Sequence, residues 1–170
     1  NWREQEQVLK LCFTPAIGNP QVTSSTPYGA VSRANNGEEM PTNEWLDLSG
    51  EGFGVAILTD SVFAYDVDGA TAGLTLLRSP IYAHYGQRGL PKQIDKTKDY
   101  YHLEQGWREG TWKIMLHDGD WRKAEVPEHA ALFNNPVITI DEANHEGHMP
   151  TEDALFHVDA ASTHVTVLKH

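Results

Sequence analysis

The chain is 170 residues long, 39% hydrophobic and 22% charged, enough for one sizeable core in a globular domain. Acidic residues outnumber basic ones by 24 to 13 and the formal charge is −11, so neither nucleic acid nor an anionic membrane is expected as a partner, because phosphates demand a clustered basic face. No apolar run approaches the about 20 residues of a membrane-spanning helix, and NWREQEQVLK does not read as a signal peptide.

Short apolar runs bounded by Gly, Pro and Asn recur along the chain, and each is expected as a strand. The first is VLKLCF, which holds the single cysteine, Cys12, expected as a small buried hydrophobe. YGAVSRA and EWLDLS follow. GVAILT is apolar on both faces and is placed in the middle of a sheet, covered on both sides. It leads through Asp60 into VFAYDV, and the stretch Gly52–Gly69 reads as a β-hairpin in which Asp60 and Asp66–Gly69 serve turns. GLTLLR is next, and then the polar loop Tyr82–Asp99. In TWKIML, Trp112, Ile114 and Leu116 share one face while Thr111, Lys113 and Met115 share the other.

AEVPEHAALFNNP is the one clearly helical segment, with a proline near its start, a stripe of Val126, Ala130 and Phe133, and a terminating Asn-Asn-Pro. PVITI, ALFHV and HVTVL are the last expected strands, with the loop DEANHEGHMPTED among them. The chain starts nearly in a strand and ends in one, which suggests a piece of a longer protein. The fold expected is all-β, a mainly antiparallel β-sandwich with one short helix, in a single domain over residues 1–170.

Residue chemistry alone gives no complete active site. His145 and His148 flank Glu146 in HEGHMP, but zinc-protease helices need four-residue spacing to put both imidazoles on one face. His157 and Asp159 have a spacing some zinc sites use, without companion ligands. No G-x-S-x-G elbow occurs, and GEGFG lacks the helix that a phosphate loop needs. Acids are abundant, yet no pair is singled out for glycosidic cleavage. Tyr82, Tyr85, Tyr100, Tyr101 and Trp107 flank the long loop; packing in the core or an interface is the first expectation for them, a sugar-stacking platform the second. With no Asn-x-Ser/Thr site and no disulfide, a cytoplasmic protein is expected.

The ordered motifs carry more. GFGVAILTD at Gly52–Asp60, VFAYDV at Val62–Val67, Gly69 and LTLLRSP at Leu74–Pro80 closely resemble a segment of glycoside hydrolase family 38 α-mannosidases. EWLDLSG at Glu44–Gly50 is similar to the strand that precedes it there. QGWREGTWKIMLHDGDWRKA resembles a later run ending H-x-G-x-W, and NWREQEQVLKLCF resembles a family strand. The likeness runs from Asn1 to about Pro136 and returns faintly at ALFHVDAASTHVTVLKH. Thr59 stands where the family has Asn, and Phe63-Ala64 where it has Tyr-Gly.

In that family a catalytic barrel supplies the aspartate nucleophile and most zinc ligands, a helical bundle adds a histidine, and β domains follow. The resemblance therefore implies the C-terminal β-sandwich of a retaining, zinc-dependent α-mannosidase, with no catalytic residue and no metal ligand in this piece. The barrel and helical domain of the same polypeptide are the implied partners. It further implies that Arg78, with Ser79, Tyr82 and His84 after it, either lies near the α-mannoside or makes an interdomain salt bridge without touching substrate. The alternative is a stand-alone carbohydrate-binding or interaction module with Tyr82, Tyr85 and Trp107 lining its groove.

Overall fold

The computed structural model describes residues 1–82, 94, 95, 97–154, 156–160, 163 and 165. The chain divides into two compact units, Asn1–Val137 and Ile138–His170. The described residues of the first form nine strands and one helix in the order β1 (Val8–Phe13), β2 (Gln21–Thr26), β3 (Gly29–Arg33), β4 (Met40–Pro41), β5 (Trp45–Ser49), β6 (Phe53–Thr59), β7 (Ala64–Asp68), β8 (Thr71–Arg78), β9 (Trp112–Asp118) and α1 (Val126–Asn134). A four-stranded sheet runs β1-β8-β7-β4 and a five-stranded sheet runs β3-β2-β5-β6-β9, with every pairing antiparallel. The sandwich with one short helix is as expected.

Alternation builds the main core. Val22, Leu46, Leu48 and Ile57 from the larger sheet meet Tyr65, Val67, Ala72 and Leu74 from the smaller, all essentially excluded from solvent. Each buried valine, leucine or isoleucine contributes about 1.5–3 kcal/mol by leaving water. The opposite side chains of β5 and β6, namely Trp45, Ala56 and Leu58, form a second core under Val126 and Ala130 of α1. Trp121 closes it, its ring 5.1 Å from that of Trp45. The stretch GVAILT is thus covered on both faces, as its composition requires.

Three expectations need correction. Gly52–Gly69 is not a hairpin, because β6 lies in the five-stranded sheet and β7 in the four-stranded one. The link is an arch. Thr59 Oγ1 accepts the Val62 and Ser61 amides, Val62 plugs the core, and Asp60 Oδ1 accepts the distant Thr111 amide at 2.8 Å. The hairpin lies one strand later, where β7 pairs with β8 around Gly69, whose φ of 59° suits glycine. Cys12 is exposed rather than buried, since the alternation of β1 turns Leu11 and Phe13 inward and Cys12 outward. Val137, Ile138 and Ile140 of PVITI form no strand and stand exposed. The described residues of ALFHV are also without regular structure, and HVTVL lies almost wholly outside the described residues.

The second strand has no apolar run to announce it. Val22–Ser25 are buried, and Ser25 is held there by its hydroxyl, whose Oγ accepts the amides of Asn43, Glu44 and Trp45 at 3.2, 2.8 and 3.0 Å. One hydroxyl thereby serves three main-chain donors where the chain turns into β5.

Candidate functional site

Arg78 ends β8, beside Val8 of β1. Its amide donates to Glu104 Oε2 at 2.8 Å, and its guanidinium Nε stands 4.0 Å from Glu104 Oε1. Most of the Arg78 side chain is exposed, so this pair is worth at most about 1 kcal/mol. The planar donor fork therefore has free valence for a hydroxyl or a carboxylate. It overlooks a groove of about 390 Å³ shared with Glu39, Met40, Phe63 and Leu76.

The residues after it are placed quite differently. Ser79 is fully buried, and its main chain and hydroxyl are both engaged with Gln7. It ties the N-terminal segment to the end of β8 and offers no accessible hydroxyl. Tyr82 is exposed, and its ring meets Tyr101 edge-on at 6.1 Å. Between them Ile81 bridges His102, whose Nε2 lies 3.9 Å from Glu6 Oε1. Segments 2–7, 79–82 and 101–106 are thus knitted into one surface by the Trp2–Gly106, Glu6–Ser79, Leu103–Pro80 and Tyr82–Tyr101 main-chain bonds. His84 and Tyr85 lie outside the described residues. Trp107 is exposed, as an aromatic platform would need.

A second groove, of about 560 Å³, opens beside the first between the rims of the two sheets. Leu9, Leu76 and Leu77 line one wall, Trp112 the other, with Phe63 between. Ser61, Glu104, Arg108 and Glu109 bring polar groups to an otherwise mainly apolar lining. Among the described residues no three His, Cys, Asp or Glu side chains are set to hold a metal ion. His145 and His148 are exposed, without regular structure around them.

The most conspicuous polar pair lies away from both grooves, on the α1 side of the larger sheet. His117 Nε2 donates to Asp47 Oδ1 at 2.7 Å, with both side chains almost wholly buried. Burial pushes the Asp47 carboxyl above its ordinary range, against the opposing pull of the Ser49 hydroxyl and His117. The His117 ring packs over Gly54, its cross-strand neighbour. Sequence reading missed this pair. Its only signals were an acid inside the apolar EWLDLS and a histidine at the end of an apolar strand.

Residues 1–92 match the glycosyl hydrolases family 38 C-terminal domain. The chain belongs to this family. It is 28% identical over 148 residues to Alpha-mannosidase 2C1 of Homo sapiens, a match covering 82% of the chain and 13% of that protein. It is likewise 28% identical over 143 residues to Alpha-mannosidase G of Dictyostelium discoideum, covering 79% and 12%. The fold is similar to that of an α-mannosidase from Enterococcus faecalis, with a TM-score of 0.62 at 17% identity over 84% of this chain and 16% of that one. The chain thus spans about an eighth of the length of these curated relatives. No helix among the described residues is long and apolar enough to cross a membrane.

Proposed function

We propose that this domain is the C-terminal accessory sandwich of a longer α-mannosidase that removes terminal α-mannosides with retention of configuration. One observation carries the reading: the chain belongs to a family 38 C-terminal domain and covers only 13% of a relative that is an α-mannosidase. The nucleophile and the zinc ligands would then lie elsewhere in the polypeptide, in a barrel and a helical domain. A retaining enzyme needs a carboxylate nucleophile facing an acid/base carboxyl, and the family resemblance assigns the nucleophile to that barrel. Arg78 is this chain's contribution toward sugar, holding a hydroxyl or orienting a carboxylate, with Tyr82 exposed a few residues on. The lone exposed cysteine and the lack of N-glycosylation sites support a cytoplasmic setting. The test is turnover of an aryl α-mannoside by the native polypeptide that contains this chain, with zinc supplied. Hydrolysis by that polypeptide and none by the isolated chain is the expected result; an inactive long polypeptide would overturn the reading.

The exposed Tyr82, Tyr101 and Trp107 favour a second reading, a carbohydrate-binding module. It requires the isolated chain to bind methyl α-mannoside with a Kd of about 1 mM or better.

A further inference from the structure

The larger sheet ends at β9, and β9 is unfinished. Its inner side pairs with β6 over its whole length, from Trp112 opposite Thr59 to Asp118 opposite Phe53. Among the described residues no main-chain hydrogen bond reaches its other side. Trp112, Ile114 and Leu116 continue the apolar inner face of Val55 and Ile57, yet all three are exposed, Leu116 by 75%. The smaller sheet ends on the same side at β1, where Val8 and Leu9 are also exposed. The apolar groove between Leu9 and Trp112 is the gap between these rims. An edge strand with such an exposed apolar face is a template for pairing with another strand, and native proteins blunt or cover it.

We infer that β9 is completed by an extended apolar strand from the rest of the family 38 polypeptide, added edge-on to the sheet and closing the groove with its inward side chains. This rests on the reading of the chain as an accessory domain, and it names the face through which that domain docks. The occupant follows from two facts. The relatives carry several times more chain than is present here. A second copy would bring the same charge of −11 against this one, which opposes self-association. The added strand must offer main-chain donors and acceptors in register with β9 and small or branched apolar residues at alternate positions.

Hydrogen exchange tests it, comparing the isolated chain with the native long polypeptide. In the isolated chain the β9 amides that do not bond β6 should exchange freely, and in the long polypeptide about 100-fold or more slowly. Leu116→Lys should leave the unfolding midpoint of the isolated chain unchanged and abolish the extra protection in the long polypeptide. Free exchange of these amides in an active long α-mannosidase would overturn the docking face and leave the accessory-domain reading standing. Protection in the isolated chain would also overturn it, assigning the edge to a second copy if the chain is dimeric and to this chain's own residues if it is monomeric. A native polypeptide no longer than this chain would remove both readings.

Discussion

Substituting Gly54→Ala should unfold the sandwich far more readily than a single methyl suggests. A Cβ at position 54 would lie 2.3 Å from His117 Cε1 and 2.7 Å from its Nε2, with Ser49 Oγ at 3.1 Å. Neither ring atom can tolerate that approach, so the imidazole must swing away. Doing so breaks its 2.7 Å bond to Asp47, a carboxylate with no solvent contact. Removing one partner of such a buried pair costs about 3–5 kcal/mol, because the other charge stays buried and unpaired. Urea unfolding followed by tryptophan fluorescence reads it directly. For a slope of about 2 kcal/mol per molar the midpoint should fall by roughly 1.5–2.5 M. The same substitution in a His117→Ala background meets only Ser49 Oγ at 3.1 Å, a contact that a small hydroxyl shift relieves, and should cost under about 1 kcal/mol. An equal cost in both backgrounds would refute the reasoning, placing the damage in the strand and not in the ring.

Other outcomes follow from the same geometry. Asp47 has its folded pKa raised by burial, so the folded state holds its proton longer than the unfolded chain. Stability should therefore fall as pH rises from the ordinary carboxylate value through the folded one and then level off; Asp47→Asn should flatten that part of the unfolding profile. Arg78→Ala should change the stability of the isolated chain by less than about 0.5 kcal/mol, given its exposure, yet lower mannoside turnover by the long enzyme. Unchanged turnover would confine Arg78 to interdomain contact. Ser79→Ala should cost about 1–2 kcal/mol in the chain's own unfolding, from the lost Gln7 bonds, and Ser79→Thr should not restore it because the site is fully enclosed.

How much of this was legible depended on whether a segment's partner was near in sequence. GVAILT announced its central place because both faces are apolar, and Val126, Ala130 and Phe133 fixed the buried stripe of α1. The misread hairpin failed for a physical reason. A strand, a turn and a strand in sequence do not say whether the second strand pairs with the first or crosses to the opposing sheet. Here Val62 in the core and Asp60 on the Thr111 amide settle it. QVTSST was not among the expected strands, because it has no apolar run and Ser25 finds its partners nearly twenty residues away. In TWKIML the division of faces was right, but nothing in the residues shows that the apolar face would be left uncovered. Of the four residues placed near sugar, the structure sets Arg78 and Tyr82 at the surface and spends Ser79 on Gln7. A buried serine and an exposed one look alike in LLRSP.

The central claim is that this sandwich works as one part of a longer α-mannosidase. The mass of the native polypeptide that yields this chain's peptides tests it most directly. The account predicts a polypeptide several times the 19.0 kDa of this chain, hydrolysing α-mannosides. A native protein of about 19.0 kDa would contradict it and make sugar binding by Tyr82, Tyr101 and Trp107 the leading function.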